Sequence, residues 1–388
     1  MENNFVCPRC GNSNPLYIGY LNGRPYCRFC ISMKGKEAEA NWRNKGAVVM
    51  KLDYPLSKEQ KRISEQILLN YRNKIDTLVN AVCGAGKTEL VYRVMASVLS
   101  NGKNVAFAVP RRDVVIELSQ RIHMVFPSNS IVSVYGGHTD KLEADIVVLT
   151  THQLYRYEKY FDLIILDEID AFPFNGNKLL NSMFFRAIKG QIVMMSATPS
   201  EAVLDYFSQK NRSILELNTR FHKHPLPVPK VVRRIGYFKI PYLIEKLKKY
   251  ISEEKKVFVF APTISRCEFL YKILKISVKN GTFVHSKCKE RTKIIKDFKE
   301  GRYDYLVTTA VLERGVTFKN LQVIIYDADS DIYNSQTLIQ ISGRVGRKID
   351  APEGEVVFLV NKATTEINKA ISTIKTKNRH LQNMLQAN

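Results

Sequence analysis

Six short apolar runs alternate with helical stretches after about Tyr54: TLVNAV (77–82), NVAFAVP (104–110), IVSVYGG (131–137), DIVVLTT (145–151), DLIILDE (162–168) and QIVMMSAT (191–198). Near-continuous apolar strands suit a parallel sheet buried on both faces, because helical crossovers cover each side. A second series of the same kind follows: KVFVFAPT (256–263), GTFVHSK (281–287), DYLVTTAV (304–311), QVIIYDA (322–328) and GEVVFLV (354–360). The pattern predicts an α/β chain with two parallel-sheet lobes in tandem. Between them NTRFHKHPLPVPK (218–230) carries three prolines at alternating positions, which forbid helix and favour an extended connector. The expected boundaries are 46–222 for lobe 1, 223–230 for the linker, 231–362 for lobe 2 and 363–388 for a terminal helical segment. In that last segment Ile367, Ile371, Ile374, Leu381 and Leu385 share a helical packing face.

Residues 1–45 read differently. They show neither long helical periodicity nor a run of strands, and they hold CPRC and CRFC, whose cysteines Cys7, Cys10, Cys27 and Cys30 leave sixteen residues between the pairs. That spacing suits two knuckles around one tetrahedral zinc, with an iron–sulfur centre as the alternative. Four thiolate ligands leave no open coordination position, so the metal is structural. Gly11 falls where a left-handed turn follows the first pair. Arg9, Arg24, Arg28, Lys34 and Lys36 are interleaved with Tyr17, Tyr20, Tyr26 and Phe29, a composition that fits either strand contact or a tiny aromatic core with solvated charges.

The chain carries 59 Lys and Arg against 37 Asp and Glu, a net charge of +22, which favours a polyanionic partner and leaves nucleic acid and anionic lipid to be separated by motifs. No apolar run approaches the roughly 18 residues of a membrane span, and Met1–Cys7 lacks the order of a secretory signal, so an intracellular setting is expected.

After the strand TLVNAV comes CGAGKT. Gly84, Ala85 and Gly86 let backbone N–H groups curl around phosphate oxygens, Lys87 reaches the β- and γ-phosphates, and the Thr88 hydroxyl binds Mg²⁺. Ala81 stands at the usual first glycine of that pattern. Eighty residues on, the strand FDLIILDE ends in Asp167, a second Mg²⁺ ligand, and Glu168, which polarises the attacking water. Gln60, upstream of the loop, is a candidate reader of the adenine edge. In QISGRVGR (340–347) Arg344 and Arg347 are expected on one helical face, aimed at a γ-phosphate.

These segments together resemble the superfamily 2 helicases: AVCGAGKT as motif I, DEID as motif II, SAT (196–198) as motif III, TTAVLERGVTF (308–318) as motif V and QISGRVGR as motif VI. The resemblance implies a nucleic-acid-dependent ATPase using ATP and Mg²⁺, with Lys87, Asp167, Glu168, Gln340, Arg344 and Arg347 catalytic. Glu89 and Gly315 join the nucleotide site. Pro110, Arg111, Thr151, His152, Gln153, Thr309 and Arg314 fall on the nucleic-acid track. DEIDAFPF (167–174) with a four-cysteine module ahead of motif I resembles the ComFA family of bacterial competence ATPases. That family implies single-stranded DNA as partner, other competence proteins at the membrane DNA channel, and a place at the cytoplasmic face. A primosomal-type unwinding helicase is the alternative, although its cysteines lie between motifs in the second half of the chain.

Overall fold

The computed structural model describes residues 5–33, 35–39, 47–168, 177–309 and 318–386. Two compact units emerge, Met1–Ala81 with Gly86–Leu217, and Asn218–Asn388 with Val82–Ala85. Among the described residues no helix is long and apolar enough to cross a membrane.

The first unit begins with a two-stranded antiparallel hairpin, β1 (Ile18–Leu21) and β2 (Arg24–Cys27). The sequence reading, which finds no run of strands there, does not name this pair. The signal lies in Asn22-Gly23: both residues take positive φ, 50° and 77°, as a tight two-residue hairpin turn requires.

A seven-stranded parallel sheet follows: β3 (Asp76–Ala81), β4 (Val105–Val109), β5 (Ile131–Val134), β6 (Ile146–Thr150), β7 (Phe161–Asp167), β8 (Ile188–Ser196) and β9 (Arg212–Leu217). Its spatial order is β5-β6-β4-β7-β8-β3-β9. The central strands β4 and β6 are buried at every position, whereas the edge strand β9 is mostly half-buried. Register fixes what shares the carboxyl edge. Asp167 pairs with Met195 and Asn80 with Ser196, so β7, β8 and β3 end in one row. Val109 pairs with Thr150, which brings the segments starting at Pro110 and Thr151 to the same edge.

The second unit repeats the plan with β10 (Lys230–Arg233), β11 (Lys256–Phe260), β12 (Gly281–Val284), β13 (Tyr305–Thr308), β14 (Leu321–Tyr326) and β15 (Val356–Val360), in the order β10-β15-β14-β11-β13-β12, all parallel. The proline connector has neither helix nor strand over 223–229. Its Leu226 is buried and held at both backbone groups by Asn378 of the helix Thr365–Gln386, at 2.8 Å each. That helix buries Ile367, Ala370, Ile374 and Leu381; of the face its spacing predicts, Ile371 is half-buried and the Leu385 side chain lies outside the described residues.

Candidate nucleotide site and cysteine cluster

The phosphate loop leaves β3 and turns through two left-handed glycines, Gly84 (φ 84°) and Gly86 (φ 74°). A Cβ on Gly86 would lie 2.5 Å from the Gln60 side-chain nitrogen, so glycine is required twice, by conformation and by space. The same contact places Gln60 beside the loop. Gln60 is held there by a capping box at the start of the helix Lys58–Arg72: Ser57 Oγ accepts from the Gln60 N–H, and Gln60 Oε1 accepts from the Ser57 N–H. The serine and glutamine three apart are a legible helix-start signal that the sequence reading passes over.

Lys87 and Thr88 open the short helix Lys87–Leu90 and are half-buried. Lys87 Nζ lies 4.0 Å from Asp167 Oδ1. Asp167 Oδ1 also accepts the Glu168 N–H at 2.9 Å, and Glu168 takes φ 59°, a left-handed conformation uncommon outside glycine. This bend reverses the chain as it leaves the sheet, with the Glu168 N–H bonded to the Met195 carbonyl. Ser196 Oγ in turn accepts from the Thr198 N–H at 3.0 Å. Lys87, the Asp167 carboxylate and the backbone of Glu168 therefore come together at the strand ends of the first unit, a cation and an acid of the kind that a Mg²⁺-bound triphosphate uses.

Glu89 is tied down differently. It is buried, and its carboxylate accepts from Tyr54 Oη at 2.9 Å and Arg121 at 2.7 Å. Burial and the Glu89 charge push the Tyr54 hydroxyl up to about 12, so it stays a donor. These contacts use Glu89 as a brace between the loop helix and the helix Arg112–Val125.

In the second unit the helix Ser335–Ser342 ends before the arginines expected on its face. This corrects the sequence reading: Arg344 and Arg347 sit in and just after a turn, not on one helical stripe. Gly346 closes the turn that follows the helix. Its φ is 66°, and a Cβ there would fall 2.1 Å from the Pro352 carbonyl. Gln340 and Arg344 are buried, and Arg347 Nε donates to the Gly343 carbonyl at 2.9 Å.

Among the residues expected on a nucleic-acid track, Arg111 caps the helix Arg112–Val125 and clasps Asp113 through both carboxylate oxygens, at 3.1 and 2.6 Å. Thr151 and Gln153 are buried in a short 3₁₀ segment, where Gln153 accepts from Arg156 Nε, while His152 is exposed. Pro110 and Thr309 are half-buried at their sheet edges. Arg314, Gly315, Lys34 and the 169–174 part of DEIDAFPF lie outside the described residues.

The four cysteines are buried, with ligand atoms all within 4.8 Å of one another. Cys7 and Cys30 sulfurs are 3.8 Å apart, and those of Cys10 and Cys27 3.6 Å. Tetrahedral zinc with sulfur at about 2.3 Å sets sulfurs about 3.8 Å apart, so the cluster fits the ion and is far too open for disulfides. Gly11 takes φ 68°, and its N–H closes onto the Cys7 carbonyl. Burial pushes the Cys10 thiol up to about 11 and raises Cys30 as well, so a cation is needed to hold these groups as thiolates.

The module is laced to the first sheet's helical layer. Arg9 pairs with Glu37 at 3.0 Å and lies over the Tyr155 ring. Arg186 reaches Glu37 and the carbonyls of Tyr155 and Tyr157, and Arg156 donates to the Lys36 carbonyl at 2.7 Å. Arg9 is thereby engaged inside the protein, whereas Arg24, Arg28, Lys36 and Tyr20 remain exposed. Tyr17 and Phe29 pack ring to ring at 5.3 Å.

Residues 53–201 match the family model described as type III restriction enzyme, res subunit, and residues 240–348 match the helicase conserved C-terminal domain. The competence protein ComFA of Bacillus subtilis is 31% identical over 399 residues, spanning 96% of this chain and 86% of that protein. ComFA of Streptococcus pneumoniae is 34% identical over 393 residues, spanning 97% and 90%.

The chain belongs to the ComFA family. As a ComFA-family member with both helicase domains, it is an ATP-dependent DNA helicase or translocase of superfamily 2. Among solved structures, S. cerevisiae Dbp5 bound to RNA and ADP BeF3 aligns with TM-score 0.63 at 20% identity, over 83% of this chain and 88% of that one. RecG bound to a three-way DNA junction aligns with TM-score 0.60 at 20% identity, over 86% and 48%. At such identity the likeness carries the fold alone. The residue that motif reading of a ComFA-family sequence misses is Arg220, buried just ahead of the prolines, where no helix or strand pattern flags it.

Proposed function

We propose that this protein is a single-stranded-DNA-stimulated ATPase that drives or assists DNA entry during bacterial transformation, working with other competence proteins at the cytoplasmic face of the membrane channel. The observation that carries the reading is the meeting of Lys87, Asp167 and Glu168 at one sheet edge, with Lys87 and Asp167 4.0 Å apart, in a chain of the ComFA family. Gly84, Ala85 and Gly86 present backbone donors to the phosphates, Lys87 neutralises them, and Thr88 with Asp167 would hold Mg²⁺, which supplies charge neutralisation on the transferring phosphoryl group. Glu168 orients and deprotonates water. Gln340, Arg344 and Arg347 offset charge that develops in the transition state.

The four cysteines hold Zn²⁺ and fix the module on the first unit. The exposed Arg24, Arg28 and Lys36, with Tyr20, offer phosphate and base contacts to a strand. The net charge of +22 supplies the long-range attraction. Phosphate release measured with no polymer, single-stranded DNA, duplex DNA and RNA tests the reading. Stimulation by single-stranded DNA without displacement of a forked duplex is expected, robust unwinding would favour the replication-restart type, and no stimulation by any polymer would remove translocation.

A further inference from the structure

Within the second unit Arg220 is 2% exposed. Its guanidinium donates to the Gly346 carbonyl at 2.7 Å and to the Gly343 carbonyl at 3.4 Å. Burial, and after it the charge of Arg347, pulls this guanidinium down to about 10, so it remains a cation at neutral pH. Among the described residues no carboxylate pairs with it, and its Nε is buried without an acceptor. A buried, uncompensated cation is an expensive way to fill space, since an apolar residue of similar volume packs as well without the desolvation cost. The geometry shows what the cation does instead.

Gly343 and Gly346 bracket the turn that contains Arg344 and leads into Arg347. The Gly343 carbonyl receives Arg220 and Arg347 together, and the Gly346 carbonyl receives Arg220 and the His222 ring nitrogen Nε2 at 3.0 Å. Burial first, and then the Arg220 charge, lower the His222 pKa, so the ring is neutral and Nε2–H serves as the donor. No helical bonding pattern fixes this turn beyond its first residues, so the direction in which Arg344 and Arg347 leave it depends on how the two carbonyls are held. A guanidinium fork reaches two acceptors at once, whereas a lysine ammonium is a single point on a flexible stem.

We infer that Arg220 is a positioning residue for the arginine turn: it bridges the Gly343 and Gly346 carbonyls and thereby sets the aim of Arg344 and Arg347. The inference rests on the proposed catalytic role of those two arginines, and Arg220 itself lies outside every helicase motif in the chain. The test uses the full chain, with ATP turnover and fluorescent ATP-analogue binding measured on Arg220→Met, Arg220→Lys and Arg220→Ala. For Met and Lys, kcat falls about 10- to 100-fold, as loss of correct positioning does, with KM for ATP within threefold and thermal melting close to the parent. Added guanidinium ion restores part of kcat in Arg220→Ala but none in Arg347→Ala, a difference that a purely structural role would not produce. A kcat for Arg220→Met within twofold of the parent overturns the inference, as does a loss confined to melting temperature. Should Arg220→Met fail to fold, His222→Ala removes the second donor on Gly346 and is expected to lower kcat several-fold, an unchanged value again overturning it. If Arg347→Ala turns over normally, the catalytic reading of the turn fails, and the inference fails with it.

Discussion

The two parallel sheets share a plan and differ in the charge that their loops carry. In the first unit Lys87 faces Asp167 at 4.0 Å, and Glu168 follows in a left-handed bend, so positive and negative groups compensate one another. In the second, Arg220 and Arg347 converge on one carbonyl, and Arg220 pairs with no carboxylate among the described residues. A compensated cluster suits holding a metal-bound triphosphate, whereas an excess of buried cation suits answering charge that appears only during reaction. The architecture dictates neither. The chemistry resides in what the loops of each unit carry.

Breaking the first cluster should have the largest consequence. Lys87→Ala or Glu168→Gln is expected to lower ATP turnover by about 10³-fold or more, with Glu168→Gln retaining nucleotide binding in a fluorescent-analogue titration. Arg347→Ala probes the arginine turn of the second unit and should cost about 10²- to 10³-fold in kcat while leaving nucleotide affinity within a few-fold. If nucleotide affinity collapses instead, the arginine turn holds ATP in its ground state and the contrast between the two clusters disappears.

Away from the two clusters, Cys10→Ser with Cys27→Ser should reduce bound zinc from one per chain to none by elemental analysis. The hairpin module should then become protease-sensitive, because about 10 kcal/mol or more of binding energy supports such small folds. The second sheet carries its own acid-sensitive clamp. Burial alone would raise Glu355, but the hydrogen bond from Tyr250 with the charges of Lys230 and Lys246 outweighs it and holds the carboxyl down at about 2. A depressed folded pKa adds stability that is complete above the ordinary carboxylate value and is lost as pH falls through about 2. Glu355→Gln should therefore remove on the order of 2 kcal/mol at pH 7 by denaturant titration and flatten the acid limb between roughly pH 4 and 2. The smallest effect belongs to Glu37→Gln, whose exposed pairs with Arg9 and Arg186 contribute no more than about 1 kcal/mol.

The buried strands were legible because a strand covered on both faces must be apolar throughout, as β4, β6, β13 and β15 are. The edge strands β9 and β10 were not, since half-exposed RSILEL and KVVR show no such run. Lys87, Asp167 and the cysteine pairs stood out because a phosphate cradle, a Mg²⁺ ligand and a zinc knuckle each impose a local spacing. Arg220 imposes none: its partners lie more than 120 positions along the chain, and only the folded chain brings them together. The arginine turn misled for a related reason, as helical spacing in QISGRVGR is interrupted by the left-handed Gly346, set against the Pro352 carbonyl where only glycine fits, and no local pattern announces that contact.

Asn378 grips Leu226 by both its N–H and its carbonyl, in the manner of one more rung of a sheet, although one partner is a side chain. The proline segment and the terminal helix consequently behave as a single mechanical piece, and any force on one is delivered to the other. Cutting the chain before Asn378 would do more than shorten a helix. It would leave the proline segment unanchored and give back the freedom of orientation that its three prolines alone do not remove.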